Sequence, residues 1–205
     1  MKSGWKLLAI LQLSCLCGLS MGQTSAAFQQ ARSEFRQAHE NSQIEANAAT
    51  LKQLLQQEPG NPLVMAYSGA ATSKLAITTL LPWKKMNYAE EGLATLDKAL
   101  QLLSKEKNPA AIEIEVKFVA AATFLAVPDF MNRSSKGQQL LQEAAEHSQI
   151  NQAELNLRAA IWLRAAQLAI AQKQTQQARK YLEQITPLPT PQAQQAQTLL
   201  KGLAS

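Results

Sequence analysis

Cysteine is almost missing from this chain of 205 residues: Cys15 and Cys17 are the two, both near the start. Disulfide scaffolds and Cys-rich metal modules are thereby excluded. Glycine and proline number only 8 each, too few for a collagenous or low-complexity chain. Charged residues are 17% and hydrophobic ones 46%, a balance that excludes disorder driven by charge and leaves material for one core. No apolar run reaches the roughly 20 residues of a bilayer span: residues 7–19 are broken by Gln12, and residues 118–127 make only about 15 Å of helix.

What is present begins with a leader. Residues 1–22 carry Lys2 and Lys6, then the apolar run, then Ser20 and Gly22, the three-part layout of a secretory signal cleaved after Gly22 or Ala26. The expected address is the periplasm or the exterior. An uncleaved anchor and a lipoprotein are the alternatives; against the latter, Gln12 stands three before Cys15 where Leu is wanted, and Leu16 precedes Cys17 where a small residue is wanted. Removing the leader leaves residues 23–205 as one domain with no thiol, so thiolate catalysis and Cys ligation go with it. It also takes Lys2 and Lys6, so Lys+Arg falls from 20 to 18 against 15 Asp+Glu, and the net charge from +5 to +3. The remaining cations are scattered, with Lys84-Lys85 and Arg179-Lys180 the adjacent pairs, which does not describe a nucleic-acid surface.

Apolar residues recur at three- and four-residue steps, and no stretch alternates with period two. Ala89, Leu93, Leu96, Leu100 and Leu103 form one such stripe. Breakers divide the chain into about nine helices, near residues 24–39, 44–57, 62–80, 86–104, 109–126, 134–147, 151–172, 174–186 and 190–203. Asn61-Pro62 and Asn108-Pro109 each pair a capping residue with a proline suited to the first helical position. Residues 118–127, apolar all round, predict a central helix covered on both sides.

The helices also repeat. Trp162, Ala165, Ala166 and Ala169, then Ala178, Leu182 and Ile185, resemble the tetratricopeptide pattern, with Ala165 and Ala169 in place of its Leu and Tyr, and Pro189 one residue early. Pro82-Trp83 leading to Gly92, Leu96 and Ala99 is echoed by Pro128 and Phe130 leading to Gly137, Leu141 and Ala144. Residues 61–133 are similar to a group of bacterial tetratricopeptide-like proteins. The resemblance implies an all-α, right-handed stack of antiparallel helix pairs, with a concave face that receives peptides or proteins.

Two regions are candidates for binding. The connections between paired helices carry Trp83, Lys84 and Lys85 in one, and Phe130, Arg133 and Lys136 in the other: rings beside cations, as on recognition surfaces, or end plugs with solvated charges. The family's concave lining falls here on Ile114, Lys117, Ala121 and Phe124, then Ala160, Leu163, Gln167 and Ile170. That set is too apolar for a carboxylate clamp. It holds an apolar segment, or the C-terminal helix covers it. Arg164 is expected to pair with Glu113 or Glu115.

No catalytic pattern stands out. His39 and His147 are isolated, and no GxSxG, GxGxxG, P-loop or HExxH occurs. The expectation is a non-enzymatic adaptor without cofactor or metal, binding a protein or peptide of the cell envelope; the alternative is a carrier of a small ligand or lipid in the apolar groove.

Overall fold

The computed structural model describes residues 25–105 and 107–203; the leader read over residues 1–22 lies outside them. All regular structure among the described residues is helical: α1 (Ala26–Gln37), α2 (Asn41–Gln57), α3 (Pro62–Lys74), α4 (Pro82–Lys105), α5 (Ala110–Phe124), α6 (Ser134–Ala145), α7 (Leu155–Ala171), α8 (Thr175–Ile185) and α9 (Gln192–Gly202). The all-α expectation with nine helices is met. Each helix packs on the next, most extensively α3 on α4, α5 on α6 and α7 on α8; α1 also meets α3, α3 meets α5, and α7 meets α9.

Local chemistry explains most boundaries. Asn61 caps α3, its Oδ1 accepting from the Leu63 and Val64 amides at 3.0 and 3.3 Å, with Pro62 in the first turn where its missing N–H is harmless. The same logic moves α4. Pro82 opens that helix instead of lying in the gap before it, and the Lys85 amide bonds back to the Leu81 carbonyl at 3.0 Å. Helix α3 in turn stops at Lys74, short of residue 80. It tightens into a 3-10 turn at Leu75–Ile77, where the Thr78 hydroxyl and amide both bond to the Leu75 carbonyl at 3.0 Å.

The repeated glycines mark where paired helices touch. A Cβ on Gly92 would lie 2.5 Å from both the Gly69 carbonyl oxygen and the Ser73 nitrogen, so α3 and α4 meet backbone to backbone. At Gly137 the same atom would meet side chains, 2.9 Å from Leu125 Cγ and 3.1 Å from Phe124 Cβ. The residues that follow each glycine in the repeat, Leu96 and Ala99, Leu141 and Ala144, are buried. In the last pair Trp162, Ala166, Ala178 and Leu182 are buried, and the Trp162 indole donates to the Ala145 carbonyl at 3.1 Å.

Candidate functional site

Along one side of the helix array runs an open cavity of about 1160 Å³, walled by α1, α3, the start of α4, α5 and α7. Its origin is residue size: Ala70, Ala76, Ala89, Ala122, Ala126 and Ala160 all line it, and alanine is too short to fill the space between helices. Phe35, Phe118, Val119 and Leu157 add apolar wall, and Met86, Val127 and Met131 close the end near the α3–α4 and α5–α6 turns.

Charge enters the lining sparsely, as Arg36, Lys74, Lys85 and Glu154. Glu154 is committed, accepting from Arg32 at 3.2 Å. Lys74 is different. Its ammonium donates to the carbonyls of Ala38 at 2.6 Å and Phe35 at 3.4 Å and sits 5.2 Å from the Phe35 ring centre, so carbonyl dipoles and a ring stand where a carboxylate would. Burial pushes its pKa down.

One wall is held by a buried polar knot. Arg32 of α1 reaches Glu115 of α5 through its Nε at 2.5 Å, and the Tyr67 hydroxyl of α3 donates to the same carboxylate oxygen at 2.6 Å. Phe28 and Phe35 stand edge-on to the Tyr67 ring at 5.6 and 5.5 Å. Burial, then the Glu115 charge, raises the Tyr67 pKa far above the usual phenol range. For Arg32, burial pulls down but Glu115 and Tyr67 raise it, and the net direction is up. The expected partner of the Glu113/Glu115 stretch was Arg164, which is exposed; Glu115 is taken by Arg32 instead.

The sequence-derived site residues divide. Lys85 and Phe130 line the cavity. Trp83 and Lys84 lie exposed in the first turn of α4, beside it. Arg133 is an internal tie: it pairs with Asp97 at 2.8 Å, and it and Lys136 lie 5.4 and 5.5 Å from the ring centre of Phe124. Phe124 and Leu163 are buried away from the groove and are not part of its lining. Lys117 is likewise removed from it, bonded to Glu113 at 2.7 Å and Glu143 at 3.0 Å across α5 and α6. On α5 the true lining is Phe118, Val119, Ala122 and Thr123, with Ala126 just past its end, about one residue, or roughly 100° of helix, away from the expected register. Nor does the C-terminal helix cover the cavity: α9 packs on α7 and α8, and Gln192 is its contribution to the lining.

The Lys117 bridge has its own consequence. The Lys117 hydrogen bond, partly opposed by burial, holds the Glu113 carboxyl below its ordinary value, and His147 stands 3.9 Å away. A carboxylate lowered on folding stabilises the fold above the unfolded pKa and loses that effect as pH falls through the folded one. The Tm gap between wild type and Glu113→Gln is therefore expected at pH 7 and closes in acid below the usual glutamate range, measured by thermal melts across pH.

Among the described residues no group of three or more His, Asp, Glu or Cys stands close enough to hold a metal ion, and no helix is long and apolar enough to cross a membrane. Comparison with family models, curated proteins and solved structures finds no match to this chain.

Proposed function

We propose that this chain is a non-catalytic interaction module of the cell envelope: an exported, tetratricopeptide-like stack of helix pairs that seats an apolar, helical segment of a partner protein in its alanine-lined groove. The observation that carries the reading is the cavity of about 1160 Å³ with apolar walls drawn from four helices and the α4 start. An extended peptide would bring backbone N–H and C=O groups that these walls do not satisfy; a helix bonds its own backbone and offers a row of side chains. The leader at residues 1–22 supports the envelope address.

The test is a photoreactive residue at Ala122, inside the groove, compared with one at Lys180, exposed on α8. In native envelopes, one protein should crosslink from position 122 and not from 180, and the crosslinked segment should read as an amphipathic helix. Equal patterns from both positions would refute the groove as the binding surface. A second reading, a carrier of a small amphiphile, draws on Lys74, a cation facing an apolar cavity with no acid paired to it. A ligand mass retained in native mass spectrometry, and lost in Lys74→Met, would select that reading over the first.

A further inference from the structure

The large hydrophobic side chains left exposed among the described residues are not scattered. Ile77 is 65% exposed, Leu80 93%, Leu81 39%, Trp83 62% and Phe130 67%, and all five lie on the α3–α4 and α5–α6 turns or the first turn of α4. Single exposed apolar residues are ordinary on a protein surface, but a set confined to one end marks a surface that meets something apolar. The same cavity takes lining from both turns, through Ile77 and Pro82 on one and Pro128 and Phe130 on the other.

Gly92 lies against Ser73, near the close of α3, and the residues that follow Ser73 run on beside the start of α4, with Leu75–Ile77 packed on it. Between residues 75 and 88 the charged side chains are Lys84 and Lys85, both exposed and neither in an ion pair; the exposed Glu90 follows within the next two turns of α4. Asp129, beside Phe130, is the acid on the neighbouring turn, while Glu91 is paired with Lys52 at 3.4 Å. The turn bonds its own polar groups: Thr78 closes onto the Leu75 carbonyl, the Leu81 amide donates to the Thr79 hydroxyl at 3.3 Å, and the Lys85 amide to Leu81.

We propose that this end docks on an anionic lipid surface, with Leu80, Trp83 and Phe130 entering the headgroup layer and Lys84 and Lys85 resting on acidic headgroups. Exposed aliphatic side chains, a tryptophan and two lysines at one end are the residue types that a bilayer interface receives. The inference does not require the groove reading, although Lys85 and Phe130 also line the groove.

Trp83 reports directly on the contact. In the full chain with Trp5→Phe, the remaining indoles are Trp83 and the buried Trp162, so acrylamide quenching reads the exposed one. Phosphatidylcholine vesicles containing phosphatidylglycerol should shift the emission to the blue and reduce quenching several-fold, while phosphatidylcholine alone should do neither. Lys84→Glu with Lys85→Glu should abolish the protection, and Leu80→Ser should weaken it; all three positions are exposed, and circular dichroism checks that the helices persist. Residues 1–22 are otherwise the same in every variant, so a difference between variants is read at Trp83 and not at that segment. Trp83 quenched equally with and without anionic vesicles would overturn the proposal. So would protection that rises with protein concentration in the absence of lipid, which would assign the patch to a second copy of the chain.

Discussion

Gly92→Ala is expected to be the most damaging single-methyl change in the molecule, lowering stability by about 3 kcal/mol and Tm by roughly 10 °C. Alanine favours helix over glycine by up to about 1 kcal/mol, so propensity alone predicts the opposite sign. Contact decides otherwise. The added carbon would sit 2.5 Å from two backbone atoms of α3, the Gly69 oxygen and the Ser73 nitrogen, and backbone cannot rotate out of the way. The helices must separate, and α3 with α4 is the most extensive helix contact in the fold. Gly137→Ala provides the contrast, because the atoms it meets belong to the side chains of Leu125 and Phe124, and Leu125 is only half-buried. Its Tm should stay within about 3 °C of wild type, the strain offset by propensity. Melts of both variants under one condition test the argument; equal losses would show that close backbone approach is not what the repeated glycine serves.

How far the sequence reveals this fold depends on whether the determining interaction is local. Helix number and most breaks follow from apolar spacing, Asn61-Pro62 and the proline cluster near residue 189, since these act within a turn or two. The start of α4 was equally local, and applying to Pro82 the first-turn argument used for Pro62 would have placed it. The register of α5 was not legible: a helix apolar on every side has no polar face from which to read its orientation, and a family pattern fitted to α7 did not carry to it. A better signal lay in Glu113 and Lys117, four residues apart and bridged in the structure, which mark the rim toward α6 and put Phe118 and Ala122 on another side. The two basic-aromatic turns were legible as unusual from composition alone. That Trp83 and Phe130 stand exposed while Arg133 ties down onto Asp97 depends on how α4 and α6 meet, which no local pattern contains.

Arg32→Met tests a long-range interaction of this hidden kind, joining residues 83 apart, and is expected to cost about 3–5 kcal/mol. The loss comes less from the missing attraction than from what remains: Glu115, buried, keeping the Tyr67 hydroxyl but no countercharge. Removing both members should hurt less than the sum. In Arg32→Met with Glu115→Met no buried charge is stranded, and a large part of the stability should return, which a double-mutant cycle measures. Tyr67 adds a signature in alkali. A phenol whose pKa is raised on folding contributes stability below its unfolded value near 10.0 and loses it as pH climbs through the folded one, so Tyr67→Phe should be less stable at pH 7 yet decline less steeply above pH 10. The knot also shapes the groove, because α1 supplies Phe35 and Arg36 to the lining and Arg32 ties that helix to α5 and to the start of α7. In Arg32→Met the amides of α1 should exchange faster with solvent than those of α7 and α8, and crosslinking from position 122 should fall with them. Unchanged exchange in α1 would mean that its seat depends on Phe28, Phe35 and the Lys74 contacts alone, and that the buried charges serve the α3–α5 contact instead.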